Sequence, residues 1–171
     1  MIESFSGIPA GANQSPHTLT IRFDAEVDRV VIIDQTRLPH ECVEVELKTS
    51  ADACHAISSM QVRGAPLIGV TAAFGVYLGL RGKDDETARS LSASVIEALA
   101  ATRPTAINLR WALDKIETRL ARCEKNLAEI ALQAALELHA EDINACSMLG
   151  EYGAQRLQEI WGAKGERAAE A

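Results

Sequence analysis

The chain has 171 residues, a length that suits one domain of roughly 100–200 residues, or one domain with an extension. An apolar fraction of 47% excludes wholesale disorder. The formal charge of −7, from 17 basic and 24 acidic side chains, excludes a non-specific nucleic-acid binder, which needs a basic face to displace counterions. It leaves room for a local cationic pocket, so the positions of individual arginines matter more than the sum.

Residues 1–14 carry Glu3 and no Lys or Arg, unlike the basic start of a signal peptide. Residues 65–80 hold no charge between Arg63 and Arg81, but 16 residues fall short of the roughly 20 that cross a bilayer. With Pro66, Gly69, Gly75 and Gly79 inside it, that stretch is expected to be a buried core helix. Cys42, Cys54, Cys123 and Cys146 form no CxxC pair and no ligand spacing with His17, His40, His55 or His139. They predict reduced, mostly buried thiols in a cytoplasmic protein, without metal, disulfide framework or membrane contact.

The first elements read as strands. Residues 18–23 alternate Thr18, Thr20 and Arg22 with Leu19, Ile21 and Phe23, the period of a half-buried strand. Residues 27–34 are β-branched and apolar through Val30, Val31, Ile32 and Ile33, which suits a middle strand. Residues 42–48 set Val43, Val45 and Leu47 against Glu44, Glu46 and Lys48. The links 24–26 and 35–40 are short enough for antiparallel pairing, so a three-strand meander is expected.

After Ser50 the period becomes helical. Thr49 or Ser50 can cap a helix running through Met60, with Ala53, Ala56, Ile57 and Met60 as its buried stripe. A second helix is expected from Pro66 to about Leu80, ended at Arg81 and Gly82. Asp84 or Asp85 caps a third, with Leu91, Val95, Ala98 and Leu99 inward. Thr105 caps a fourth, with Leu109, Ala112, Leu113, Ile116 and Leu120 inward. Residues 125–161 contain no proline and repeat apolar side chains at helical intervals, although Gly150 and Gly153 weaken the run. Residues 162–171 lack large apolar side chains and are expected to fray. The architecture predicted is α+β: a small three-stranded antiparallel sheet, a helical layer and a long C-terminal helix. Its expected divisions are a mixed α/β domain over 1–124, a long helix over 125–161 and a tail over 162–171.

Chemistry concentrates at Arg63-Gly64-Ala65-Pro66. Proline suits the first turn of a helix, whose free amides and positive dipole end attract an anion. Gly64 permits positive φ or close approach of a ligand, and Arg63 adds a guanidinium fork for phosphate or carboxylate. In the alternative reading Gly64 and Pro66 shape a loop while Arg63 pairs with a surface acid. Arg103-Pro104-Thr105 is a second element of the same kind, and two such starts would hold a phosphate dianion well if they converged. Asp34-Gln35-Thr36 follows a buried strand but also suits a turn. Glu141-Asp142 reads as a solvated face and Trp111 as a packing residue. The sequence contains no Ser-His-Asp set, HExxH, GxSxG, Walker loop or GxGxxG.

The ordered motifs Val31-Ile-Ile-Asp-Gln-Thr-Arg-Leu-Pro39, Val62-Arg-Gly-Ala-Pro-Leu-Ile-Gly69 and Thr102-Arg-Pro-Thr-Ala-Ile-Asn-Leu-Arg-Trp111 resemble those of the methylthioribose-1-phosphate isomerases. Glu141-Asp-Ile-Asn144 through Tyr152-Gly-Ala154 continues the match, which covers most of the chain. The resemblance extends to ribose-1,5-bisphosphate isomerases and to regulatory subunits of a translation-initiation guanine-exchange factor. It implies a small N-terminal α/β region followed by a Rossmann-like domain. It also implies an aldose–ketose isomerisation in methionine salvage, with Arg63, Gly64, Ala65 and Arg103 on the substrate. No cofactor is implied.

The departure from the family is large. Its catalytic cysteine lies in a Thr-His-Cys-Asn stretch absent from this sequence, and Cys146 precedes the Gly150–Ala154 motif, so that role does not pass to it. No catalytic residue is therefore assigned. The expectation is a substrate-phosphate-binding region without its chemical half, inactive alone, arising as a fragment, a split gene product or a frameshifted copy. Its partners would be a sugar phosphate and either a second copy or the missing C-terminal half. The alternative is a standalone phosphosugar-binding or dimerising module.

Overall fold

The computed structural model describes residues 19–169, with side chains to residue 161. The expectations placed on residues 1–14, His17, Thr18 and 170–171 lie outside the described residues. Strands β1 (Ile21–Asp24), β2 (Arg29–Ile33) and β3 (Glu44–Leu47) form an antiparallel meander in the order β1-β2-β3, as predicted. The register sets Ile21 beside Ile32 and Ile32 beside Val45, with Phe23, Val30 and Leu47 in the next row. Side chains alternate faces along each strand, so these rows share the core face. The opposite face carries Val31 and Ile33, yet both are buried. Arg22 on β1 reaches Glu44 on β3 with a two-pronged ion pair at 2.6 and 2.7 Å, which spans β2 and shields them.

Five helices follow: α1 (Ser50–Ser58), α2 (Ala65–Leu80), α3 (Asp85–Thr102), α4 (Ile107–Ala121) and α5 (Leu127–Ala169). Helix α2 is apolar on every side and is the hub, packed against α1, α3, α4 and α5. It is the buried core helix predicted for residues 65–80. Phe74 is fully buried there and stacks on Phe23 of the sheet, with ring centroids 6.1 Å apart. At the far end of α2, Tyr77 donates a hydrogen bond to Asp28, and Arg81 donates to the Asp28 and Lys48 carbonyls at 2.7 and 2.9 Å. This clamp ties the β1–β2 turn and the end of β3 to the hub. Burial and the Asp28 carboxylate push the Tyr77 phenol well above its ordinary pKa.

Several boundaries differ from the sequence reading, each for a local reason. Thr49 caps α1 in a reciprocal box with Asp52, but the helix stops at Ser58. Met60 takes φ +64° and is exposed, so it leaves the predicted stripe. Asp84 caps α3, while Asp85 instead accepts the first amide of α5, Leu127 N–H, at 3.1 Å. Ala98 is exposed and Ile96 is buried, because the core-facing side of α3 centres on Ala88, Ile96 and Leu99 and, at about 100° per residue, Ala98 falls outside it on the far side of the half-buried Leu91. Thr105 caps nothing. The Ala106 amide bonds the Arg103 carbonyl at 3.0 Å, closing a turn with Pro104 in its second position, and α4 begins after Ala106 without a side-chain cap. The predicted α4 stripe is buried throughout.

Helix α5 passes through Gly150 and Gly153 unbroken and continues to Ala169, beyond the end expected at Trp161. No thiol is fully buried, contrary to expectation: Cys42 and Cys146 are exposed, and Cys54 and Cys123 are half-buried. No helix among the described residues is long and apolar enough to cross a membrane.

His139 on α5 sits edge-on to Phe74, 6.3 Å between ring centroids. Burial pushes its imidazole below the ordinary value of 6.5, against the opposing pull of Asp142. The unfolded chain therefore binds the proton more readily, and stability falls as pH drops through that ordinary value. Thermal melts are expected to lose a few degrees between pH 7.5 and 5.5, and His139→Gln is expected to lose less. An equal slope in both proteins would contradict this.

Candidate functional site

The loop between α1 and α2 carries the first candidate group. Val62 is fully buried, and its amide bonds the Ala56 carbonyl at 3.2 Å, so the chain is pinned just before Arg63. Gly64 then adopts φ +93° and ψ 132°, a conformation an L side chain rarely takes, and Ala65 and Pro66 open α2. No side chain caps this start, so its first amides and the positive dipole end face outward. Arg63 is exposed, and among the described residues its guanidinium makes no hydrogen bond or ion pair. The alternative in which it pairs with a surface acid is not what the fold adopts.

Arg103 caps the C-terminal end of α3 and enters the turn before α4. The two helix starts approach closely. Gly69, one turn into α2, lies so near Asn108 that a Cβ on it would stand 2.9 Å from the Asn108 carbonyl oxygen and 3.3 Å from Ala112 Cβ. At a rise of about 1.5 Å per residue, this contact brings the first backbone turns of α2 and α4 to within on the order of 10 Å. Two depressions lie beside these starts, one lined by Arg103 and neither lined by Arg63. Arg103 lines an open cleft of about 270 Å³ between α3 and α4 together with Glu97 and Arg110. The cavity beside the α2 start, about 180 Å³, is lined by Pro66, Gly69, Asn108, Trp111, Glu141 and Asp142.

Glu141 is exposed, as read from sequence, while Trp111 and Asp142 depart from that reading. Trp111 is not core packing: it is 48% exposed, and Lys115 lies 4.2 Å over its ring. Glu141 is ion-paired with that same Lys115 at 3.1 Å, and Asp142 is half-buried beside the cavity. Arg110 was not singled out at all. One part of this was visible in advance, since Trp111 and Lys115 stand at i, i+4 on one helix. Their approach to Glu141 needs the packing of α4 on α5, which no local pattern encodes.

Asp34 occupies the turn after β2 and is 8% exposed. It accepts hydrogen bonds from Thr36 N–H at 3.0 Å, Thr36 Oγ at 2.6 Å and Gln61 Nε2 at 3.1 Å. The Thr36 hydroxyl chiefly, then the Thr36 amide and Gln61, holds its carboxyl below the ordinary range against the cost of burial. Among the described residues no group of three or more Asp, Glu, His or Cys side chains is arranged to hold a metal.

The family model described as Initiation factor 2 subunit family matches residues 61–161, the α1–α2 loop through most of α5. The chain belongs to the initiation factor 2 subunit family. Within it, this chain is 46% identical over 142 residues to a methylthioribose-1-phosphate isomerase of Methylorubrum extorquens, covering 82% of this chain and 38% of that relative. It is 41% identical over 155 residues to the isomerase of Dechloromonas aromatica, covering 87% and 41%. Among solved structures, 5-methylthioribose 1-phosphate isomerase from Pyrococcus horikoshii superposes with a TM-score of 0.72 at 31% identity, over 80% of this chain and 40% of that one. Subunit delta of translation initiation factor eIF-2B from A. fulgidus gives 0.67 at 30%, over 72% and 37%. The chain thus spans about two fifths of the length of the family members it matches.

Proposed function

We propose that this chain is the substrate-phosphate-binding layer of a methylthioribose-1-phosphate isomerase. Arg63, Gly64 and Ala65 take the phosphate at the open start of α2, and Arg103 contributes from the start of α4. The observation that carries this reading is an unpaired guanidinium beside an uncapped helix start, in a chain whose curated relatives bear the isomerase name. Charge-assisted bonds from guanidinium and backbone amides suit a phosphate dianion. The adjacent cavity, with Trp111, Asn108 and Asp142, offers an aromatic wall and polar acceptors for the sugar.

Isomerisation between C1 and C2 also needs a positioned acid/base pair in a dry pocket. The Thr-His-Cys-Asn stretch is absent from this sequence. The assignment therefore places catalysis on a second, Rossmann-like domain that follows the mixed domain 1–124 and the helix 125–161. Helix α5 supports that arrangement. Leu127, Ala131, Ala134, Ala135 and Leu138 form its buried stripe, and at about 100° per residue Ala145, Leu149, Tyr152 and Ile160 continue the same face. Leu149 is 72% and Tyr152 64% exposed, a face suited to a docked domain. The four free thiols accord with a reducing, cytoplasmic setting.

Calorimetric titration of the purified chain tests this. Methylthioribose 1-phosphate is expected to bind, methylthioribose without phosphate to bind far more weakly, and no ketose product to form. Absence of heat at millimolar sugar phosphate overturns the binding reading, and turnover overturns the placement of catalysis elsewhere. The apolar face of α5 equally favours a second reading, a phosphosugar-binding module that dimerises through it. Sedimentation separates the two, since concentration-dependent dimer that is lost in Leu149→Lys supports the module.

A further inference from the structure

The segment carrying Arg63 is joined to the sheet through one buried carboxylate. Asp34 follows β2, and its amide bonds the Val43 carbonyl at 2.8 Å, so its own position is set by the hairpin. Both carboxylate oxygens are engaged: Oδ1 by Thr36, and Oδ2 by the Gln61 side-chain amide. The Gln35 amide bonds the Gln61 carbonyl at 2.9 Å, so residues 34 and 35 grip residue 61 by side chain and backbone together. Gln61 lies two residues before Arg63. Beyond it the only further anchor among the described residues up to Arg63 is Val62, buried and bonded to the Ala56 carbonyl, and then Arg63 touches no partner among the described residues and Gly64 turns at positive φ into α2. A rigid sheet end, a buried acceptor and the phosphate-facing loop thus form a continuous chain of contacts.

We infer that Asp34 and Gln61 are positioning residues that hold Arg63 and the start of α2 in place for an anionic ligand, an inference that rests on the phosphate-binding reading above. They act through the loop and do not touch the ligand. Pre-ordering of this kind lowers the entropy lost on binding, so loosening the link weakens affinity without removing any ligand contact.

The informative variant is Gln61→Met, which keeps side-chain length, removes the amide donor and changes no charge. Asp34→Ala would strip acceptors from three donors at once and confuse folding with positioning. Hydrogen exchange of the full chain reads the loop directly. The Val62 and Gln35 amides are expected to exchange about threefold to tenfold faster in Gln61→Met, as for loss of one hydrogen bond, with Phe74 in α2 unchanged. Affinity for methylthioribose 1-phosphate is expected to fall by a similar factor, while Arg63→Ala leaves the Val62 exchange rate alone. Unchanged exchange overturns the inference, and so does faster exchange with unaltered affinity. If the parent chain binds no sugar phosphate, the phosphate-binding reading fails, and the positioning role falls with it even where exchange shows the loop anchored.

Discussion

Arg63→Ala is expected to weaken binding of methylthioribose 1-phosphate by roughly tenfold to a hundredfold, the loss that follows removal of one hydrogen-bonding charged partner. Its thermal midpoint is expected to stay within a degree or so of the parent. Arg63 is exposed and makes no internal bond among the described residues, so the fold loses nothing with it. Arg63→Lys is expected to recover part of the affinity, because an ammonium keeps the charge but not the planar fork. Arg103→Ala poses a sharper question. If both arginines grip one phosphate, the double variant should depart from additivity by about 0.5–3 kcal/mol. If Arg103 acts instead from its own cleft between α3 and α4, the two losses should add. An Arg63→Ala protein that binds within twofold of the parent would remove the central support of the proposed function.

Gly69→Val should be the most damaging of the glycine substitutions near the site. Even a Cβ there meets the Asn108 carbonyl oxygen at 2.9 Å, and a backbone atom at a helix start cannot give way cheaply. Valine forces α2 and α4 apart, at an expected cost of about 1–3 kcal/mol or more. For a chain of this size that lowers the melting midpoint by roughly 2–4 °C per kcal/mol. It should also weaken sugar-phosphate binding, since the same contact draws the two helix starts together. Gly150→Ala is the control. A Cβ there meets nothing within 4 Å, and alanine in place of glycine inside an exposed helix adds about 1 kcal/mol of helix stability. A Gly69→Val protein as stable as the parent would show that α2 and α4 are not locked together at this point.

Placed side by side, these expectations separate two demands on the site. Affinity depends on exposed groups that stability does not need, as at Arg63. Geometry depends on groups packed into the fold that set the frame of the site, as at Gly69, Asp34 and Gln61. The second class spans the sheet, the α1–α2 loop and two helix starts. A substitution in it should move both melting behaviour and affinity, whereas one in the first class should move affinity alone.

Much of this was legible along the chain. The alternation of Val43, Val45 and Leu47 with glutamates placed β3, and the all-apolar run 65–80 marked the hub helix, because strand pleat and helical period act on residues two to four apart. Gly64 before Pro66 announced an open helix start for the same reason: proline φ and glycine freedom are properties of single residues. Boundaries failed where two local signals competed, as when the turn closed by Ala106 on Arg103 displaced Thr105 from its capping role. The cavity, the Lys115 bridge from Trp111 to Glu141, and the grip of Asp34 on Gln61 across 27 residues belong to a different order of information. They exist because α2, buried on nearly every side, draws α4, α5 and the sheet onto itself. Burial of apolar area is non-directional and carries no record of which polar groups it will bring together. Local sterics determined the elements and the open helix start; packing around one apolar helix decided which charges and cavities surround it.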